Sequence, residues 1–506
     1  MEASIFYYVV FFLFLYCFTK RLLQTKGLPP SPSFSLPIIG HLHLIKRPLH
    51  RSLAQLSSQN GPILFLNFGS RPAVLVSSSS AAKDCFTKNN DVIFANRPRF
   101  LAGKYLGYDY TTVVWAPYGD HWKNLRRIAS HEILSSIQIQ RHLGIRMDEV
   151  KSLILRLINS SKGGDHDQFQ VVEMKSLFSK LSMNVMMRMM VGNRNYEGNR
   201  ELEEERKFKE IVAESLESSG IGNMVDFIPI LKWVGLNKGE KKLATLQSRR
   251  DESMQNLIEV RRKSISDSSF EEKNRTIIDA LLSLQETDPE YYTNDIIKGM
   301  MQVLVSAGIG TSAETMEWAL TILLNNPKTL VKAREEIDTV VGTSRLMDES
   351  DIEKLPYLRS IINETFRMYP IGPILTRESS EECTVGGFRI PRGTMLLVNI
   401  WAIHYDPGYW ENPTEFKPER FLGSEAEEKG LILPFGIGRR KCPGEGMAMR
   451  LILLAMGCLI QCFEWERIGE EMVDMSEGNG MTMPKAKPLV AKCRPRPAMK
   501  SLLSQN

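Results

Sequence analysis

The chain has 506 residues, 43% of them hydrophobic and 24% charged, with a formal net charge of +5. That balance belongs to a folded globule whose core can enclose a bulky cofactor, and it excludes a disordered or fibrous chain. The mild positive charge forms no basic stripe with interleaved aromatics, so nucleic acid is not an expected partner.

The chain begins with a membrane signal. Ala3 to Thr19 carries no charge and is dense in Phe, Tyr, Val and Leu, and Lys20, Arg21 and Lys26 follow it. Its length is at the short end of a bilayer-spanning helix. Glu2 precedes the run and the basic residues come after it, which reverses the pattern of a cleaved signal peptide. Residues 1–26 are therefore expected to be an uncleaved single-pass anchor with its basic flank, leaving the rest of the chain in the cytosol. In residues 27–40, Pro29, Pro30, Pro32 and Pro37 forbid a helix and predict a stiff, extended connector.

Residues 41–506 are expected to form one body. Ile63-Leu64-Phe65-Leu66 and Ala73-Val74-Leu75-Val76 predict short strands split by Gly69-Ser70-Arg71-Pro72. Helical periodicity dominates from about 120 to 365. Within it the run Met183 to Met190 reads as plain core. A long apolar stretch, Asp295 to Leu324, contains the small-residue patch Ser306-Ala307-Gly308-Ile309-Gly310-Thr311. Residues 383 to 400 again read as strands, and one more apolar helix precedes a turn-rich tail. The fold class is mainly α (α+β), a large helical domain with a small β portion.

Seven cysteines stand at 17, 85, 383, 442, 458, 462 and 493. An odd, irregular set argues against a disulfide framework and for a reducing compartment. No CxxC pair is present, so zinc is not expected, and most of these thiols read as small buried hydrophobes. The exception is marked by its neighbours.

In Phe435-Gly436-Ile437-Gly438-Arg439-Arg440-Lys441-Cys442-Pro443-Gly444, the residues Phe435, Gly438, Arg440, Cys442 and Gly444 match the haem-binding loop of the cytochrome P-450 family. The resemblance implies that Cys442 is the axial ligand of the iron of haem b (iron-protoporphyrin IX). A thiolate ligand donates electron density that favours O–O cleavage, and backbone N–H groups near the sulfur tune its potential. Phe435 would shield the sulfur and Arg440 would neutralise a haem propionate. Glu364-Thr365-Phe366-Arg367 resembles the family's ExxR helix, with both charges on one face. Pro418-Glu419-Arg420-Phe421 supplies its partner, so that Glu364, Arg367 and Arg420 would form a structural ion triad. Trp122-Lys123-Asn124-Leu125-Arg126 resembles the family's WxxxR, implying that Trp122 and Arg126 grip a propionate. Arg377 holds the matching place on the strand after the ExxR helix.

The patch Ala307-Gly308-Ile309-Gly310-Thr311-Ser312 resembles the oxygen-activation groove, where small residues let a helix cross the porphyrin and the Thr311 hydroxyl helps deliver two protons. Gly310 stands where the family usually has an acid. Glu314, one turn on, is the expected substitute through a water chain. The resemblance spans essentially the whole chain, including Phe94-Ala95-Asn96-Arg97-Pro98, Asn326-Pro327 and Asp406-Pro407 with Trp410. It is strongest to the plant microsomal group. Thr384-Val385-Gly386-Gly387 and Pro391-Arg392-Gly393-Thr394 look like the subfamily with isoflavone hydroxylases, methylenedioxy-bridge-forming lignan synthases and cucurbitane triterpenoid hydroxylases.

That resemblance implies an NADPH- and O2-dependent monooxygenase of the endoplasmic reticulum membrane. Its substrate would be a hydrophobic plant specialised metabolite, a triterpenoid, isoflavonoid or lignan, that is hydroxylated or oxidatively cyclised. The chain has no recognisable nucleotide-binding Gly loop, so electrons are expected from an NADPH-cytochrome reductase of the same membrane. Arg439, Lys441, Lys123 and Arg127 are either its docking cations or a solvated face. Substrate contacts are expected from Phe100 to Val114, Ile221 to Ile230, Val303 to Ala307, Ile371 to Leu375 and Gly480 to Met483, nearly all apolar or small. Two rivals stay open: a reductase-independent haem-thiolate isomerase or dehydratase, and a catalytically silent haem-binding protein.

Overall fold

Apolar residues fill both faces of the first strands, so the sheet they start must be covered on both sides. The computed structural model describes residues 27–86, 89–159, 168–192, 208, 210–215, 218, 223–235, 238–267, 275–423, 433–499 and 502. The expected anchor at 1–26 lies outside the described residues. Helix α1 (Leu49–Asn60) leads into β1 (Ile63–Phe68) and β2 (Arg71–Val76), which pair antiparallel with Leu64 opposite Leu75. Gly69 makes the turn at φ 58°, and a Cβ there would lie 2.1 Å from the carbonyl oxygen of Phe227.

The helical part contains α2 (Asp120–Arg127), α3 (Leu143–Asn159), the short strand β3 (Gln170–Glu173), α4 (Met174–Val191), α5 (Lys238–Asp267), α6 (Asn294–Asn325) and α7 (Pro356–Met368). Then come β4 (Ile374–Glu378), β5 (Cys383–Val385), β6 (Phe388–Ile390) and β7 (Met395–Asn399). Helix α8 (Glu445–Cys462) is followed by β8 (Phe463–Glu466) and β9 (Val490–Pro495). The main sheet runs β1-β2-β7-β4, with β7 parallel to β2 and antiparallel to β4. The turn-rich tail also holds strands that the sequence pattern did not reveal, because β8 and β9 complete a second sheet only by pairing with distant β3.

Helix α6 is the longest structural member, spanning about 48 Å at the usual helical rise. Thr293 caps it by accepting from the Ile296 N–H, and the body is rich in Leu, Met and Ala. Both α6 and α8 are long and apolar enough to cross a membrane, but 61% and 72% of their most apolar windows are buried inside the protein, so they are core helices. They pack with α3, α4 and α7 around one continuous core that includes Leu153, Met301, Phe366 and Leu454. Met183, Met186, Met187, Met189 and Met190 lie in that core, as the sequence pattern predicts.

The ExxR pair forms as expected on α7. Arg367 grips Glu364 through two bonds of 2.7 and 2.8 Å, and both side chains are fully buried. Arg420 reaches Glu364 Oε1 at 3.2 Å, and the Lys417 N–H donates to the same oxygen at 3.0 Å. Arg367 also donates to the carbonyls of His404 and Pro413 at 2.9 and 2.8 Å. His404 continues the chain of contacts. Its Nδ1 meets the Arg367 carbonyl at 3.0 Å, and its Nε2 accepts from the Leu433 N–H at 3.0 Å. Burial pushes the His404 ring down to about 3, so it stays neutral and can both donate and accept.

A buried charge deprived of its partner is costly. Glu364→Ala, which strands Arg367 and loosens Arg420, should destabilise the protein by about 3–5 kcal/mol. Thermal unfolding and the yield of folded protein measure this, and a melting curve unchanged from wild type would contradict the assigned role.

Candidate functional site

The loop after Leu433 is shaped by backbone constraints. Gly436 and Gly438 both sit at φ 72°, a region other residues rarely adopt. A Cβ on Gly438 would lie 2.1 Å from Asp91 Oδ1, the oxygen that accepts from the Arg439 N–H at 3.0 Å. The Cys442 N–H closes the loop by donating to the Phe435 carbonyl at 2.8 Å. The Phe435 ring meets Phe366 of α7 edge-on at 5.2 Å, which ties the loop to the ExxR helix.

Among the described cysteines Cys85, Cys458, Cys462 and Cys493 are buried and Cys383 is half-buried; Cys442 alone keeps exposed surface, although protein packs around much of its thiol. It sits just before the N-terminus of α8, whose N-cap is Gly444. A Cβ on Gly444 would be 3.7 Å from the sulfur. Burial of the thiol by surrounding protein raises its pKa, while the Gly444 N–H and the positive charge of Arg126 oppose that rise. A helix N-terminus and a nearby guanidinium are the two standard means of favouring a thiolate.

Four guanidinium groups form a linked cluster that reaches this sulfur through Arg126. Arg377, fully buried on β4, donates to the carbonyls of Thr376 and Arg440 at 2.9 and 3.4 Å. Arg440 donates to the carbonyls of Ala95, Val113, Val114 and Ala116 and lies 4.8 Å over the Trp122 ring. Arg97 donates to Thr376, but its buried Nε has no partner among the described residues. Arg126, half-buried on α2, shows no hydrogen bond or ion pair among the described residues. Burial, and then mutual repulsion, lowers the pKa of Arg440 to about 9 and that of Arg377 well below the usual arginine value; burial alone brings Arg97 to about 10. Among the described residues no carboxylate pairs with any of the four. Such a cluster wants an external anion, and the two carboxylates of a haem fit it in charge and in donor geometry. Trp122 Nε1 itself donates to the Val113 carbonyl at 2.9 Å, so it serves the Arg440 cradle directly.

The second group of expected residues lies on α6. Val303, Ser306, Ala307, Gly310, Thr311 and Glu314 are incompletely covered, while Leu304, Val305, Ile309, Ser312 and Ala313 are buried. Their spacing is that of one incompletely covered helical face. Ala307, Gly310 and Thr311 therefore share that face. Gly308 points elsewhere: a Cβ there would lie 2.8 Å from Met186 Sδ, so its smallness lets α4 pack against α6. The Thr311 hydroxyl donates to the Ala307 carbonyl at 2.6 Å, and its lone pairs remain free to accept.

The remaining expected residues scatter over two settings. Phe100, Leu101, Leu106, Ile371 and Met483 are buried apolar groups; Met483 takes the Trp318 indole N–H on its carbonyl at 2.7 Å. Ile221 and Gly222 lie outside the described residues. Lys123, Arg127, Arg439 and Lys441 are exposed, paired with Asp120, Glu132, Asp91 and Glu445. The sequence pattern assigned no role to Arg97 or His404. The first carried a signal, a charge set between Phe94-Ala95 and Pro98; the second carried none.

A family model described as Cytochrome P450 matches residues 29–491. The chain is 50% identical to Cytochrome P450 81Q32 of Catharanthus roseus, with all of both chains covered. It is 45% identical to a (+)-piperitol/(+)-sesamin synthase of Sesamum radiatum and 44% identical to an isoflavone 2'-hydroxylase of Glycyrrhiza echinata, each covering 100% of this chain and 99% of the relative. A solved zebra fish cytochrome P450 with abiraterone superposes with a TM-score of 0.73 at 25% identity, covering 89% of this chain and 100% of that one.

The unpaired arginines make a prediction with two opposite signs. Arg377→Met removes a buried charge, so the haem-free protein should melt higher than wild type, while the haem-loaded protein should lose its cofactor faster to a haem scavenger. A slower loss, or a lower melting point in the haem-free form, would contradict the assignment.

Proposed function

The chain belongs to the cytochrome P450 family, and from that premise we propose that it oxidises an isoflavonoid- or lignan-type plant metabolite, hydroxylating it or closing a ring. Enzymes of the family are monooxygenases that use haem b and electrons from NADPH delivered by a reductase. The names of the isoflavone hydroxylase and the sesamin synthase support the substrate class. A triterpenoid is the alternative. The observations that carry the reading are the Cys442 loop with its arginine cluster and, separately, the incompletely covered face of α6 that holds Ala307, Gly310 and Thr311.

When bound, haem b would supply dioxygen activation, in which one oxygen atom leaves as water with two electrons and two protons, and the other enters the substrate or, in ring closure, leaves as a second water with two substrate hydrogens. The protein's part is positional. Cys442 offers its sulfur to the iron from the start of α8, and the Gly444 N–H with Arg126 favours the thiolate. Arg97, Arg126, Arg377 and Arg440 would hold the propionates. Phe435, seated on Phe366, keeps water from the sulfur. Ala307 and Gly310 leave room over the ring, and Thr311 accepts and passes protons there. Glu364, Arg367 and Arg420 hold the loop in place through His404 and Leu433. The apolar residues around the cleft select an apolar substrate.

The proposed location is the endoplasmic reticulum membrane, with residues 1–26 as anchor, 27–40 as connector and 41–506 as catalytic domain on the cytosolic side. An apolar patch supports this. Phe34 and Ile38 on the connector are 75% and 68% exposed, and Trp233 and Val234 are 89% and 65% exposed. The Gly69-Ser70 turn joins the two segments, because its N–H groups donate to the carbonyls of Ile39 and Phe227 at 3.1 and 2.8 Å. On the opposite chemistry, exposed Lys123, Arg127, Arg439 and Lys441 near the cysteine loop would meet the acidic face of an NADPH-cytochrome reductase.

Microsomes containing this chain and a plant reductase, fed isoflavones, furofuran lignans and triterpenoids in parallel, test the reading. The expected result is a product that has gained one oxygen or lost two hydrogens, formed only with NADPH and O2, from an isoflavone or a lignan. Turnover of a triterpenoid alone would overturn the substrate class. Turnover without NADPH would favour a reductase-independent isomerase or dehydratase.

A further inference from the structure

Glu314 is a half-buried carboxyl on the incompletely covered face of α6, which the sequence pattern names as the substitute for the acid missing at Gly310. It stands one turn beyond Gly310 and Thr311, and among the described residues of the stripe from Val303 to Glu314 it is the single side chain that titrates near neutrality. Its Oε1 accepts from Thr482 Oγ1 at 3.2 Å, while its buried Oε2 has no partner among the described residues. An oxygen left unpaired inside a protein is costly unless it carries a proton or meets water. The charged groups facing it are Lys175, at the start of α4, and Glu317, one turn further along α6. Burial dominates these and raises the carboxyl to about 7. Thr482 is half-buried next to exposed Met481, so this side of Glu314 lies close to solvent.

We propose that Glu314 is the proton-relay residue of the cleft, passing protons by way of water to Thr311 and regaining them from solvent beside Thr482. The proposal rests on the monooxygenase reading. Each transfer sends one proton from the carboxyl toward Thr311, leaves a carboxylate, and is reversed by one proton from bulk water, so no net charge accumulates. The two electrons and the dioxygen come from the established reaction. Gly310 contributes no side chain, which leaves space beside Thr311 for the water that must bridge the turn. An acid whose pKa lies near the working pH is best suited to this task.

The test uses haem-loaded protein with reductase and NADPH but no organic substrate, and follows reduction of O2 to water. Glu314→Gln should slow oxygen uptake on the order of 10²-fold, and Glu314→Asp should restore part of it. The wild-type rate should fall as pH rises through about 7, and the Gln variant should lose that inflection. The rate at which NADPH reduces the protein under carbon monoxide, which needs no proton, should be the same in all three. A second readout needs no turnover. A carboxyl held above its unfolded pKa contributes stability at low pH that is lost as pH rises through the folded value. Wild type should therefore lose melting temperature relative to Glu314→Gln between pH 5 and 8. Equal uptake and equal pH profiles in a Gln variant with an intact carbon monoxide spectrum would overturn the proposal, as would a melting difference that ignores pH. No oxygen uptake by any of the three, with reduction intact, would overturn the monooxygenase reading beneath it.

Discussion

Four buried or half-buried guanidinium groups form a cluster that reaches the Cys442 sulfur through Arg126, with no carboxylate salt-bridged to them among the described residues. Their charge is held there by geometry: Arg377 by its strand, Arg440 by four backbone carbonyls, Arg97 by Thr376 and Arg126 by α2. Repulsion of this kind is tolerable only if a multiply charged anion completes the set. Within that cluster Arg126 also opposes the rise that burial imposes on the Cys442 thiol. Arg126 thus joins the arginines and the sulfur in one electrostatic arrangement.

Holding that arrangement requires rigidity at long range. The triad on α7 does not touch the sulfur. It acts through the Arg367 carbonyl, the neutral His404 ring and the Leu433 N–H, which is where the cysteine loop begins. Phe366, on the same helix, adds an edge-on contact to Phe435 inside the loop. On the far wall, α6 presents a stripe that is small at Ala307 and Gly310 and polar at Thr311 and Glu314. Its other side is packed so closely at Gly308 that a methyl group there would have to displace the Met186 side chain. One helix therefore serves the core on one face and the cleft on the other.

Much of this was legible in the sequence. The cysteine loop shows itself because a positive φ at Gly438, a close approach to Asp91 and a sulfur beside Gly444 each demand a particular residue type at a fixed spacing. Glu364 and Arg367 show themselves because i, i+3 places them on one face, and the strands at 63–76 and 383–400 because they are short apolar runs between turns. What stayed hidden depends on contacts between distant segments. Helical spacing tells which residues share a face but not which neighbour that face meets, so the packing of Gly308 on Met186 was invisible. Arg97 gains its meaning only when the segment at Phe94–Pro98 lands beside β4, and His404 only when it lands between α7 and Leu433. Strands β8 and β9 hid in a turn-rich tail because the third member of their sheet, β3, lies in the helical half of the chain.

The central claim is that one sulfur, Cys442, binds iron in this electropositive cleft. The most direct measurement is the absorption spectrum of the reduced, carbon monoxide-treated protein, compared between wild type and Cys442→Ser. Wild type should show the red-shifted Soret band of a thiolate ligand, and the serine protein should lose that band or fail to retain haem. A red-shifted band that survives in Cys442→Ser would contradict the account.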